Sequence, residues 1–317
     1  MAVLNESRMK DGAPQDGQSF VKGDSSVELR RITIAQMLAE TVSKFGSRDA
    51  LVLPKLGVTL SYDDLQREVD KLAAGLLALG LEKGDRVGIW SPNRLEWLLT
   101  QFATARVGLI LVNINPAYQL SELEYALNKV SCKALILAES FKSSQYLEML
   151  RNLAPELDTC PKGRLQCAKL PHLKIAIAMS ENPGAGVFSF EEIQALGGDE
   201  HLQRLDAITA TLKPDDAINI QFTSGTTGAP KGATLTHINI VNNARFVTDR
   251  INFTEQDRLC IPVPLYHCFG MVMGTLGCVS KGAAMVFPGE SFDAVETLSA
   301  VSSARCTGLY GVPTMFM

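Results

Sequence analysis

Residues 217–235 read AINIQFTSGTTGAPKGATL. Ile218, Ile220 and Phe222 alternate with polar neighbours, the period of a β-strand, and Ala233 and Leu235 alternate likewise on the far side. Between them, residues 223–232 hold four hydroxyl side chains, three glycines and one lysine. Glycines let successive backbone N–H groups point into one concavity that suits an anion. The hydroxyls add donors without bulk, and Lys231 adds a point charge matched to phosphate. Two strands joined by such a loop read as a clamp for a polyphosphate.

The loop is not of the G-x-x-x-x-G-K-[ST] kind, which sits between a strand and a helix. Lys231 follows Pro230 and precedes Gly232, and the next residues have strand character. The helix begins only after Thr236, an N-cap for the run Ile240, Val241, Ala244 and Val247. Composition by itself also fits a solvated Ser/Gly linker, and a kinase-like P-loop protein is disfavoured by the missing GK[ST].

Outward from this stretch, helix-like and strand-like segments alternate from Ile32 onward. Ser61 caps a helix that continues through Leu65, Val69, Leu72, Leu76 and Leu79 and stops at Gly80, with acids in its first turn. Strands are expected at 86–90, 109–113, 134–138 and 173–178, and helices at 94–107 and 121–129. This alternation predicts βαβ units and a largely parallel sheet covered on both faces, an α/β fold. Residues 154–171 carry three prolines and no periodicity, so a connecting loop is expected there. A last strand is expected at 307–312. Pro313 then opens an element with only four residues left, which reads as a chain ending inside an element.

With 317 residues, 46% hydrophobic and 20% charged, the chain suits one large α/β domain or two smaller ones and excludes collagen, coiled coil and a disulfide mini-scaffold. Thirty Lys+Arg against 34 Asp+Glu give a net charge of −4, so nothing global attracts nucleic acid or anionic lipid. No apolar run approaches the ~18 residues of a membrane span. Seven cysteines without a C-x-x-C pair argue for reduced thiols, and four scattered histidines argue against a structural metal. Residues 1–31 lack periodicity and mix acids with bases, which suits a flexible tail and gives no clear import signal.

The order T-S-G-T-T-G-x-P-K-G, followed by Thr236-His237, resembles the phosphate-binding signature of the AMP-forming adenylating enzymes: acyl-CoA synthetases, luciferases and the adenylation domains of peptide synthetases. Other stretches match that superfamily in order. They are Leu60-Ser-Tyr-Asp-Asp-Leu65, Gly84-Asp-Arg-Val87 with Asn93, Ala105-Arg-Val-Gly108 leading to Asn115-Pro116, Pro264-Leu-Tyr-His-Cys-Phe-Gly270 and Tyr310-Gly-Val-Pro-Thr314. The resemblance covers nearly all of residues 32–317. NPAYQLSELEYALNKVSCKALIL, INIQFTSGTTG and GATLTHINIVNN are most similar to the medium-chain fatty acyl-CoA ligases, a kinship that points to mitochondria.

The resemblance implies the layered α/β large N-terminal domain of the AMP-forming ligases, truncated at Met317, with the mobile C-terminal domain absent. It implies that a fatty acid, Mg2+-bound ATP and CoA are the small-molecule substrates, with no nucleic-acid partner and no transmembrane segment. Thr223, Ser224, Gly225, Thr226, Thr227, Gly228, Ala229, Pro230 and Lys231 would hold the ATP phosphates, with Lys231 and Thr226 catalytic. His267 would gate the acyl site beside the carboxylate, while no residue is assigned to a metal. Tyr266, Phe269, Cys268 and Cys278 read as packing, and His237 as a first-turn helix residue without a catalytic role. The family's Y-G-x-T-E motif, ribose-binding acid and C-terminal lysine do not occur in the 317 residues, so this chain alone is expected to be inactive. Two alternatives stay open: a non-catalytic acyl- or nucleotide-binding short form, and a ligase for aryl or other carboxylates.

Overall fold

The computed structural model describes residues 26–223 and 229–317. The chain divides into two compact units, 1–31 and 32–317, and the second carries every element named below. The tail expected over 1–31 falls, for residues 1–25, outside the described residues.

In chain order the second unit runs α1 (Ile34–Phe45), β1 (Asp49–Leu53), β2 (Val58–Ser61), α2 (Tyr62–Ala78), β3 (Arg86–Trp90) and α3 (Leu95–Val107). It continues with β4 (Ile110–Asn113), α4 (Leu120–Lys129), β5 (Ala134–Ala138), α5 (Tyr146–Leu153), β6 (Ile175–Met179), β7 (Phe188–Ser189), α6 (Phe190–Leu196) and α7 (Asp199–Ala210). After these come β8 (Ala217–Thr223), β9 (Lys231–Thr236), α8 (His237–Arg250), β10 (Arg258–Cys260), a π-helix (Phe269–Leu276), α9 (Gly277–Lys281), β11 (Ala284–Val286), α10 (Ala294–Ser303) and β12 (Gly308–Leu309).

Where one sheet was expected, the strands form two. A seven-stranded sheet has the order β7-β6-β5-β3-β4-β8-β9 and is parallel except for β9. A five-stranded sheet, β12-β10-β11-β1-β2, joins strands from both ends of the unit, with Leu51 opposite Met285. Periodicity announces each strand but carries no information about partners more than two hundred residues away in sequence. In the larger sheet, β3–α3–β4 steps one way and β4–α4–β5 steps back past β3. Right-handed crossovers in opposite directions put α3 and α4 on opposite faces, which covers the sheet on both sides.

Helix α2 joins the sheets, since it packs on β1 and β2 and also on α3, α6 and α7. Its start is held as the sequence predicts. The Ser61 hydroxyl accepts from the Asp64 N–H, and the Asp64 carboxylate accepts from the Ser61 N–H at 3.0 Å, a reciprocal capping box. The Tyr62 hydroxyl donates to the Ala283 carbonyl at 2.7 Å and so ties α2 to the turn before β11. The buried set Leu65, Val69, Leu72 and Leu76 repeats at three- and four-residue steps. Helix α3 is buried around nearly its whole circumference, as a helix between two layers must be.

The expected strand at 307–312 shrinks to Gly308–Leu309, and Pro313 opens only a 3₁₀ turn, Pro313–Met315. Residues 154–171 form the expected connection, broken by one 3₁₀ turn, Pro155–Asp158, and pinned by buried Leu157, Leu165 and Leu170. The ring of Trp90 stacks on Tyr146 with centroids 3.9 Å apart, and their polar ends hold the loop after β4 through the carbonyls of Asn115 and Pro116.

Gly75 marks a close approach of two helices. A Cβ there would lie 1.9 Å from the carbonyl oxygen of Ile193 in α6. Gly75→Ala should therefore force α2 and α6 apart and lower stability by about 2–3 kcal/mol. Thermal unfolding checks this, and an unchanged midpoint would contradict the contact.

Candidate active site

The β8–β9 hairpin stands at the edge of the seven-stranded sheet. Its antiparallel register sets Phe222 opposite Gly232 and Thr223 opposite Lys231, so residues 224–230 connect the strand ends. Of the phosphate-binding set expected from sequence, Ser224, Gly225, Thr226, Thr227 and Gly228 lie outside the described residues. Thr223, Ala229 and Lys231 are exposed and Pro230 is half-buried. Lys231 begins a strand, not a helix, and helix α8 starts after Thr236. Thr236 and Asn239 form the capping box of that helix, with the Thr236 N–H donating to Asn239 Oδ1 at 3.0 Å. Tyr125 of α4 donates its hydroxyl to the Pro230 carbonyl at 3.1 Å and steadies the chain one residue before the lysine. A tyrosine on a helix a hundred residues upstream gives no sequence signal for that role.

The second expected feature is the turn that contains His267. Its side chain is exposed, its N–H donates to the Pro264 carbonyl, and its own carbonyl accepts from the Met271 N–H at 3.0 Å. The imidazole Nδ1 accepts from the Phe269 N–H at 3.1 Å. In the neutral ring the proton then belongs to Nε2, which becomes a donor for an anionic ligand. Gly270 closes the turn because a Cβ would meet the Pro264 carbonyl oxygen at 2.3 Å. The π-helix begins at Phe269, whose ring lies 5.0 Å from that of Tyr310. Tyr266 is half-buried and Cys278 fully buried, and burial pushes the thiols of Cys268 and Cys278 up, away from nucleophilic character.

What the sequence reading missed is how this turn is held. Asn93, after β3, donates to the Val263 carbonyl at 3.0 Å and accepts from the Leu265 N–H at 2.8 Å. Asn113, at the end of β4, donates to the Tyr266 carbonyl at 2.9 Å. Gln101 of α3 accepts from the Thr275 hydroxyl at 2.8 Å inside the π-helix. Asn219 and Gln221, which alternation assigns to a polar face, are 2% and 7% exposed and join the same group. The signal was present as two carboxamides inside an otherwise apolar strand, but alternation by itself reads such residues as solvent-facing.

The candidate site therefore lies at the carboxyl ends of β4 and β8, the side of a parallel sheet on which α/β proteins place their ligands. Among the described residues no group of three or more His, Cys, Asp or Glu could hold a metal ion, and no helix is long and apolar enough to cross a membrane. His237 has no place in the site. It is fully buried, and its Nδ1 accepts from the Ile34 N–H at 3.1 Å.

Residues 38–317 match the family described as AMP-binding enzyme. The chain is 46% identical over 302 residues to a protein of Danio rerio named medium-chain acyl-CoA ligase ACSF2, mitochondrial, covering 94% of this chain and 50% of that protein. The Homo sapiens protein of the same name is 44% identical over 309 residues, covering 96% and 50%. The chain thus spans about half the length of the curated relatives it matches. In fold it is similar to a long-chain-fatty-acid-CoA ligase of Archaeoglobus fulgidus, with a TM-score of 0.74 at 22% identity, covering 94% of this chain and 54% of that one.

Burial pushes the His237 imidazole down from 6.5 to about 4. Between those values the unfolded chain takes up a proton that the folded chain refuses, so this residue makes stability fall as pH drops through the window, by up to about 1.4 kcal/mol per pH unit. Urea unfolding from pH 7 to pH 4 should show a steeper loss for the wild type than for His237→Gln, by about one proton. Equal slopes would refute the assignment.

Proposed function

Because this chain belongs to the AMP-binding enzyme family, we propose that it carries the phosphate- and acyl-handling part of an ATP-dependent acid–thiol ligase that activates a medium-chain fatty acid to its CoA thioester. The domain concerned is 32–317, the large adenylate-forming domain. The observation that supports this best is the pairing of Thr223 with Lys231 at the hairpin mouth, with the His267 turn hydrogen-bonded to the end of the neighbouring strand β4.

In the first step a carboxylate oxygen of the fatty acid attacks the α-phosphorus of ATP. The new P–O bond forms as the bond to the β-phosphate bridge breaks, and pyrophosphate leaves. In the second step the thiol of CoA attacks the acyl carbonyl, loses its proton and displaces AMP. A carboxylate and a triphosphate repel each other, so this chain must supply positive charge and donors where the two meet. Lys231 and the donors of residues 223–230 offset charge on the departing pyrophosphate. His267, as an Nε2–H donor, orients the carboxylate. Mg2+ brought in with ATP would add positive charge there as part of the substrate, and no residue of this chain is assigned to hold it. A mitochondrial setting rests on the names of the relatives, as does the medium chain length.

ATP–pyrophosphate exchange dependent on octanoate, measured on the full-length protein with benzoate as the contrasting acid, tests the reading. Lys231→Ala should lower the maximal exchange rate by about a hundredfold or more, with the KM for octanoate within about threefold of wild type. His267→Ala should lower the maximal exchange rate by at least about tenfold and also raise the KM for octanoate, because the imidazole both binds and orients the carboxylate. Undiminished exchange in Lys231→Ala, or exchange driven by benzoate alone, would overturn the proposal.

A further inference from the structure

Three buried carboxamides and the carbonyl of half-buried Tyr266 form one directional chain from strand β8 to the His267 turn. Gln221 Nε2 donates to Asn219 Oδ1 at 3.0 Å, and Asn219 Nδ2 donates to Asn113 Oδ1 at 3.0 Å. Asn113 Nδ2 then donates to the Tyr266 carbonyl at 2.9 Å. Asn219 Nδ2 also reaches the Leu111 carbonyl at 3.0 Å, and Met271 Sδ sits 3.4 Å from Asn113 Nδ2 and 3.7 Å from Gln221 Nε2. The parallel register pairs Asn219 with Leu111 and Gln221 with Asn113, so the Asn219–Asn113 bond crosses diagonally from β8 to β4.

Both ends of this chain adjoin the candidate site. Thr223, opposite Lys231, lies two residues beyond Gln221, and His267 follows Tyr266. Carboxamides in an apolar core are costly unless every donor and acceptor is partnered, and hydrocarbon side chains of similar size would fill the same space at no such risk. Stability by itself therefore does not account for three of them in a row. Bonds that all point the same way reinforce one another and hold their members stiffly. The arrangement makes the spacing between the hairpin mouth and the His267 turn a property of the sheet.

We propose that Asn219 and Asn113 are positioning residues for adenylation: acting through the Tyr266 carbonyl, they fix His267, and with it the acyl carboxylate, at the attacking distance from the nucleotide held by the β8–β9 hairpin. This rests on the ligase reading above. Misplacement of two reactants by about 1 Å costs on the order of a hundredfold in rate. Adenylation joins two separate substrates and depends on that spacing. Thioester formation starts from an acyl-adenylate whose two halves are already covalently linked, so it does not.

The test measures the two half-reactions separately on the full-length protein. In Asn219→Leu and in Asn113→Leu, the maximal rate of octanoate-dependent ATP–pyrophosphate exchange should fall 10- to 100-fold per folded molecule. KM values for ATP and octanoate should stay within about threefold. Conversion of preformed octanoyl-adenylate and CoA to octanoyl-CoA should fall by less than threefold. The double variant should lose no more than Asn113→Leu, because Asn219 acts through Asn113. Should Asn219→Leu yield no folded protein, Asn219→Ser carries the same expectation, since its hydroxyl is satisfied by water but too short to reach Asn113. Equal losses in both half-reactions, multiplying losses in the double variant, or full exchange activity would overturn the positioning role. A wild type inactive in both half-reactions would instead overturn the ligase reading itself.

Discussion

The hydrogen bond from Asn113 to the Tyr266 carbonyl is the point at which two separately built sheets become one working surface. Strand β10 belongs to the five-stranded sheet, yet the chain that leaves it runs at once to the carboxyl edge of the seven-stranded sheet and is fastened there by Asn93, Asn113 and Gln101. A turn on a free loop could not hold an imidazole at a defined place. This turn can, because its carbonyls and N–H groups are satisfied by side chains from rigid elements, and because Gly270 leaves no room for another path.

The same constraint explains the polar content of the core. A parallel strand covered on both faces is expected to be continuously apolar. Strand β8 instead alternates Ile218 and Ile220 with buried Asn219 and Gln221. The departure begins at the third residue of the strand; Asn219 donates to Leu111 and Asn113 on β4, and Gln221 donates to Asn219 on its own strand. Helix α2 complements this from the far side of α3. It carries no group placed in the site, and its contribution is to hold the two sheets in register, with Gly75 letting α6 approach closely and Tyr62 reaching the turn before β11.

Electrostatically the site is spare. Lys231 is the cation that the sequence offers to a polyphosphate, and it stands at a strand end, not at a helix N-terminus, so no macrodipole assists it. Under the proposed ligase reading, that leaves backbone N–H groups and hydroxyls as the further donors for the phosphates. This suits the composition of residues 223–232 and the membership of residues 38–317 in the AMP-binding enzyme family.

The sequence by itself determined the local elements and the family. Ser61 and Thr236 cap the helices they were expected to cap, β3 and β5 span the residues their apolar runs marked, and the order of hydroxyls, glycines and lysine between two strands identified the family before any coordinate did. These features depend on neighbours within a few residues, so the sequence displays them directly. Tertiary structure alone decided that the strands divide into two sheets, that Asn219 and Gln221 are interior, that Tyr125 steadies Pro230, and that Asn93, Gln101 and Asn113 hold the His267 turn. The physical reason is common to the last three. A carboxamide or a hydroxyl is equally at home in water or in a core that satisfies it, and which it meets is settled by partners contributed from distant parts of the chain.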